Sequence, residues 1–301
     1  MERYIQASFR VGSDLGIPFW AESVLLEMVM GDSLALDFYG HWISDLAMAH
    51  GAAIISPNYR LMPEATSTEI NDDIRDFWEW LHSSALVDLL SAHTTPTTLD
   101  LDRILTTGES AGGLLSINLA LSNPSDIRAT TAAYPFLDIE SEDYSSPRAA
   151  PPVGMHVPES VVQDTMSSIA LGTAVSSILA QERAAFMPAA TEHGALAGMY
   201  ERGVQESERG RLYPMDRLEQ PDCCVPRRGI AIIQGRQDSV VPVRGVEKFV
   251  NRAREVLNGK PGSDRIVLAL RDGEHGFDGD VRLAEQCLQD ALKVALEAWL
   301  E

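Results

Sequence analysis

The sequence predicts an α/β fold, a mostly parallel central sheet with helices on both faces. Three observations carry that expectation. Short apolar runs of strand length alternate along the chain with stretches whose apolar residues recur at helical spacing. Runs such as AAIIS at 52–56 are apolar almost throughout, as strands covered on both sides are. Of the 301 residues, 45% are apolar and 23% charged, a globular balance that supplies a sizeable core and excludes a disordered, collagen-like or disulfide-stapled chain.

Taken in order, Ile5, Ala7, Phe9 and Val11 alternate with polar neighbours and predict a half-buried strand. A second strand is expected over 23–30 (SVLLEMVM), ended by Gly31-Asp32. Phe38, Trp42, Ile43, Leu46 and Ala49 then keep one helical face, which Gly51 closes. After the strand at 52–56, Thr66 and Glu69 form a capping box for a helix with the stripe Ile70, Ile74, Phe77, Trp78 and Leu81. A strand at 103–108 leads into a helix reaching about Leu121, and another strand is expected at 129–134. Late in the chain, strands at 229–234 and 265–270 flank a helix at about 243–258. A final helix carries Ala284, Leu288, Ala291, Leu292, Ala295 and Trp299 on one face.

Residues 139–228 break this rhythm. They open on EDYSSPRAAPPVG, continue with helix-prone and charged segments, and contain no clear strand. Inserted between two sheet strands, they are expected to form a lid or cap over the C-terminal edge of the sheet, within one domain spanning residues 1–301. The segment ERGVQESERGR at 201–211 reads as a solvated helix or loop. Met155, Met166, Met187 and Met199 are candidates to line an apolar acyl pocket.

Acidic residues outnumber basic ones 44 to 24, for a formal charge of -20. Such a surface repels phosphate backbones and anionic lipid heads, which argues against nucleic-acid or membrane-surface partners. The N-terminus lacks an apolar signal core, and no run approaches the roughly 18 apolar residues of a spanning helix. A soluble, cytoplasmic protein is therefore expected. Cys223, Cys224 and Cys287 form neither a disulfide framework nor a metal-ligand spacing, so no metal or organic cofactor is expected. A homodimer is compatible with the sequence.

The chemistry is carried by Gly108-Glu109-Ser110-Ala111-Gly112, a G-x-S-x-G between a predicted strand and helix. In that setting the serine sits on a strained turn that lifts its hydroxyl clear of the sheet, and the glycines let the backbone fold back on itself. The helix N-terminus places the Ala111 N–H where an oxyanion would form. A serine hydroxyl needs a base, and the base an orienting carboxylate. His156, His193 and His275 follow Ser110, and His275 alone lies just past a predicted sheet strand. Asp238, in Gly235-Arg236-Gln237-Asp238 after the preceding strand, is the carboxylate of choice. Asp264, Asp272 and Asp278 are its competitors.

On these residues the chain resembles the hormone-sensitive-lipase-like branch of the α/β-hydrolase superfamily, called alpha/beta hydrolase fold-3. Gly108–Gly113 matches that branch's nucleophile elbow, residues 58–64 (NYRLMPE) its Y-R-L-A-P-E segment, and His275-Gly276-Phe277 its histidine loop. The resemblance implies an α/β-hydrolase fold with a lid. It further implies that Ser110, His275 and Asp238 are nucleophile, base and orienter of a carboxylic-ester hydrolase, with a small-molecule ester as partner. Glu109 and Gly112 are candidate substrate contacts, while Arg60 and Glu64 read as a structural polar network. One departure is plain. The branch's H-G-G-G motif, whose N–H groups complete the oxyanion hole, is absent from the corresponding stretch at 24–32, leaving Met30 and Gly31 as substitute donors. Loss of one such donor typically costs ~2.7–4 kcal/mol. A non-hydrolytic enzyme of this fold (lyase, isomerase or cyclase), or a ligand-binding or inactive member, is accordingly the alternative.

Overall fold

The computed structural model describes residues 7–10, 17–23, 28–31, 40–92, 98–178, 180–227 and 229–300. Among the described residues its sheet contains seven strands: β1 (Ala7–Arg10), β2 (Ile17–Ser23), β3 (Ala53–Pro57), β4 (Leu99–Gly108), β5 (Ile127–Ala133), β6 (Ile230–Gly235) and β7 (Ile266–Arg271). They are ordered β1-β3-β2-β4-β5-β6-β7. Only β1 is antiparallel to its neighbour; every other pairing is parallel.

Side-chain alternation builds two cores from one sheet. Along β6, Ile230 and Ile232 face one apolar cluster while Ala231 and Ile233 face the other, and Ile104 and Leu105 of β4 divide the same way. Helices α1 (His41–His50) and α13 (Gln286–Leu300) cover one face through Trp42, Leu46, Leu292 and Trp299. Helices α2 (Ser67–Leu81), α3 (Ser84–Ser91), α4 (Ser110–Ser122) and α12 (Val243–Val256) contribute to the other cluster. The capping box of α2 forms with both bonds in place, and Gly51 ends α1 in the left-handed conformation. Ala284 lies just outside α13 and is exposed.

The strand expected over 23–30 needs correction, and one helix leaves no period in the sequence. The strand before α1 is β2, ending at Ser23, and not 23–30. Residues 24–27 lie outside the described part, and 28–30 form a turn. Met28 and Val29 are buried there without being strand, so their hydrophobicity reflects core packing alone. Helix α3 was not anticipated, because only Leu86 and Leu90 of its eight residues are buried, too few to set a period.

Between β5 and β6, residues 139–228 form the short helices α5 (Glu142–Ser145), α6 (Ser160–Ser168), α7 (Ala180–Arg183), α8 (Phe186–Glu192), α9 (Leu196–Glu201), α10 (Arg209–Leu212) and α11 (Pro214–Leu218). Phe186, Leu196, Tyr200, Leu212 and Leu218 join the same buried cluster as α4. The segment 201–211 holds no buried residue, as a solvated helix or loop would, but its arginines tie it to the body of the fold. The Arg202 guanidinium donates to the carbonyls of Pro63 and Ala65, both at 2.6 Å, and Arg211 pairs with Asp72 and Glu208.

Candidate active site

Strand β4 delivers the chain into α4 through Glu109 and Ser110. Ser110 has φ 51°, a left-handed backbone for a residue with a side chain, and its surroundings sustain strain of a kind that costs ~1–3 kcal/mol. Gly113 shows why the elbow demands glycine. A Cβ there would lie 2.8 Å from the Pro135 Cβ and 3.3 Å from the Gly108 carbonyl oxygen. With no side chain, α4 packs directly against the exit of β5.

Ser110, His275 and Asp238 meet at the C-terminal edge of the sheet, from the ends of β4, β7 and β6. The Ser110 Oγ is 3.2 Å from His275 Nε2, and His275 Nδ1 is 3.0 Å from Asp238 Oδ2. A carboxylate only accepts, so Nδ1 carries the proton and Nε2 is left to accept from the serine hydroxyl. Asp238 Oδ1 also accepts from the N–H groups of Val240 (3.0 Å) and Val241 (2.7 Å), and Oδ2 from the Gln234 amide at 3.2 Å. These bonds hold the carboxylate in one orientation.

The competing residues are engaged elsewhere. Asp278 accepts from Trp42 Nε1 (2.8 Å) and the Tyr134 hydroxyl (2.7 Å). Asp264 sits at the start of β7, and the Asp272 side chain is 87% exposed. His156 bonds Glu192, and His193 the Val157 carbonyl. The Tyr134 ring packs 4.6 Å from the His275 ring, centre to centre. Burial, together with the charges of Glu109 and Asp278, pushes the Tyr134 phenol well above its ordinary range, so it remains a neutral donor to Asp278.

Glu274 ties the histidine loop to the acid loop, a role the sequence did not suggest. Its Oε1 accepts from the His275 N–H at 2.8 Å and from the Ser239 N–H at 2.5 Å. Burial pushes this carboxyl up, but the hydrogen bonds from Ser239 and His275, together with the electrostatic attraction of His275, outweigh it and hold the group below its ordinary value. The same loops touch where a Cβ on Gly235 would come within 2.4 Å of the Gly273 carbonyl oxygen. Arg148 adds a further tie, donating to the carbonyls of Asp143, Ser239 and Val240.

Ser110 and His275 open into a cavity of about 380 Å³ whose other walls include Met30, Val153, Met155, Met187, Thr191 and Val240. None of these wall side chains carries a formal charge. Of the four methionines proposed for an apolar pocket, Met155 and Met187 line it. Met199 is buried in the core and Met166 packs against it. Glu109 and Gly112 do not line the cavity. The Glu109 carboxylate instead accepts the N–H of Gly40 at 2.9 Å, at the start of α1, and is 1% exposed.

Among the expected oxyanion donors, Gly31 is excluded by its own bonding. Its N–H donates to the Ile178 carbonyl at 2.9 Å, and its carbonyl accepts from the Ile178 N–H at 3.2 Å. Met30 borders the cavity, and Ala111 occupies the first turn of α4 beside Ser110. Glu64 pairs with Arg183 and not with Arg60, whose guanidinium is gripped by Asp73 and Glu69. Among the described residues no group of His, Cys, Asp or Glu side chains has a metal-holding arrangement, and no helix is long and apolar enough to cross a membrane.

The sequence profile of the alpha/beta hydrolase fold matches residues 30–191, more than half of the chain. Probable carboxylesterase M8 of Phoma sp. is 28% identical over 283 residues, which span 90% of this chain and 82% of that protein. A Staphylococcus aureus subsp. aureus Mu50 protein of unknown function shares the fold with a TM-score of 0.63 at 17% identity, covering 98% of this chain and 93% of that one. A Pyrobaculum calidifontis esterase does so with a TM-score of 0.59 at 18% identity, covering 98% and 81%. Strand order, elbow and profile agree, and this chain belongs to the alpha/beta hydrolase fold family, in its fold-3 branch.

Proposed function

We propose that this protein hydrolyses a carboxylic ester of a small or medium apolar molecule through an acyl-enzyme on Ser110. The observation that carries the reading is the unbroken run of hydrogen bonds from Ser110 through His275 to Asp238 at the wall of an uncharged cavity. His275 Nε2 takes the hydroxyl proton as Oγ attacks the ester carbonyl, then delivers it to the departing alcohol. Asp238 keeps the imidazole in the required tautomer and stabilises its charged form. Water enters in the second half-reaction, activated by the same imidazole, and frees the carboxylic acid.

The Ala111 N–H, at the positive end of α4, is the first oxyanion donor, and the Met30 N–H is the second. Residues 139–228 act as a lid, since Pro152, Val153, Met155, Met187 and Thr191 enclose the cavity over Ser110. The carboxylesterase name carried by the Phoma relative supports the same reaction class.

Turnover of short aryl esters tests this directly. Ser110→Ala should lower kcat by about 10⁴-fold or more, as removal of a triad nucleophile does. Equal turnover in the two proteins would take Ser110 out of the chemistry. Turnover with no acyl-Ser110 in mass spectra of quenched reactions would point instead to proton-transfer chemistry on the same scaffold.

A further inference from the structure

The turn at 28–31 carries the second oxyanion donor of the proposed reaction, yet it lacks the glycine run that shapes this loop in the family it resembles. Its bonds show what holds it. The Met28 carbonyl accepts from the Met62 N–H at 2.7 Å. The Val29 carbonyl accepts from the Arg183 guanidinium at 3.0 Å. Gly31 exchanges both of its backbone hydrogen bonds with Ile178. Arg183 also donates to the Met62 carbonyl at 3.1 Å and forms an ion pair with Glu64, both side chains being nearly buried. Among the described residues, three of these four bonds to the turn therefore involve Ile178 and Arg183, inside the 139–228 insertion, and Arg183 reaches both the turn and the 62–64 segment that backs it.

We infer that Arg183 is a positioning residue for hydrolysis: from the insertion, its guanidinium fixes the 28–31 turn so that the Met30 N–H faces the oxyanion formed at Ser110. A planar guanidinium suits the task, because it donates in several fixed directions at once, here to two carbonyls and a carboxylate. Ala184, the next residue, lines the cavity together with Met30, so the docking that closes this wall also sets the donor. A lid that undocked would leave Ser110, His275 and Asp238 in place but remove half of the oxyanion hole. Covering the substrate and completing the site are then one event.

The inference rests on the ester-hydrolase reading, and the test separates the two. Arg183→Met alone would strand the buried Glu64 carboxylate, so the informative protein is Arg183→Met with Glu64→Gln, which leaves no unpaired charge. Its folding is checked by thermal melting, and Arg183→Lys serves as the conservative variant. Misplacing the donor acts on the transition state and forfeits part of what its complete loss would, so kcat for a neutral aryl ester should fall about 10- to 100-fold with KM changed less than about twofold. Affinity for an aryl trifluoromethyl ketone, which adds to Ser110 and places an oxyanion in the hole, should weaken by the same factor as kcat/KM. Competitive inhibition by the product alcohol should not change, and Arg183→Lys should recover part of the loss. A folded double variant with wild-type kcat and ketone affinity, or one altered in KM alone, would overturn the assignment. Failure of the parent reading looks different: it appears as undiminished turnover in Ser110→Ala, whatever Arg183 does.

Discussion

Glu274 shows how much of the site depends on residues that never touch substrate. One oxygen of its carboxylate joins the N–H of His275 to the N–H of Ser239, so the loops that carry His275 and Asp238 stay in register. Glu274→Ala should lower kcat several-fold and reduce the melting temperature, while Glu274→Gln, which keeps an acceptor, should do less of both. The pH dependence has a definite sign. Because the carboxyl is held below its ordinary value in the folded protein, its contribution is fully present above the ordinary glutamate range and is lost as pH falls through the lowered value. The stability gap between wild type and Glu274→Gln should therefore close on acidification, and melting curves at several pH values measure it; a gap that widened would contradict the assigned direction. Asp238→Asn should cost about 10⁴-fold in kcat, because an amide no longer enforces the tautomer that leaves Nε2 free to accept. Ser110, Asp238 and His275 were legible as candidates because a motif and a chain order announce them. Glu274, Arg148 and Arg183 were not, since their partners are backbone groups of remote loops and no spacing along the chain encodes such contacts.

Among the elements, the passage from β4 to α4 is the most constrained. Ser110 needs a left-handed backbone, and Gly113 needs the space beside Pro135. Gly113→Ala should force α4 away from the end of β5. Overpacking of that kind typically costs ~1–3 kcal/mol, measurable by chemical denaturation. Activity should fall with stability, because the same shift moves Ser110 relative to His275. Undiminished stability and turnover would mean that Pro135 yields freely. Most elements were legible because their patterns are local: the capping box at Thr66 and Glu69, the glycine after α1, and the stripe of α13 each point to one structure. The errors arose where burial and secondary structure part company. Met28 and Val29 look like strand because they are apolar, but they form a buried turn whose carbonyls bond to Met62 and Arg183. Arg202, within a charged segment, lies against carbonyls of 63–65, a contact visible only once the chain is folded.

On the scale of the whole molecule, two features shape what reaches the site. The chain carries a formal charge of -20, so its field repels anions at long range. Among the described residues, the cavity walls offer no charged side chain to compensate. Added salt should therefore lower KM for an anionic ester and leave KM for its neutral isostere nearly unchanged; an equal response of both would remove the field from the explanation. The insertion between β5 and β6 is the second feature. The loss of strand rhythm over 139–228 is what the sequence offers for it, while its contacts with 28–31 and 62–65 include guanidinium-to-carbonyl bonds that no periodicity reveals. Through Arg183 they join a segment whose next residue, Ala184, lines the cavity to the turn at 28–31.

The most direct measurement is peptide mapping after reaction with a serine-directed alkyl phosphonate ester. In wild type a single adduct should form on Ser110. It should be absent in Ser110→Ala, and in His275→Ala it should form far more slowly, because the imidazole that draws off the hydroxyl proton is gone. An adduct of equal yield in Ser110→Ala, or labelling of Ser110 that ignores the loss of His275, would contradict a proton relay running from that hydroxyl through the imidazole to Asp238.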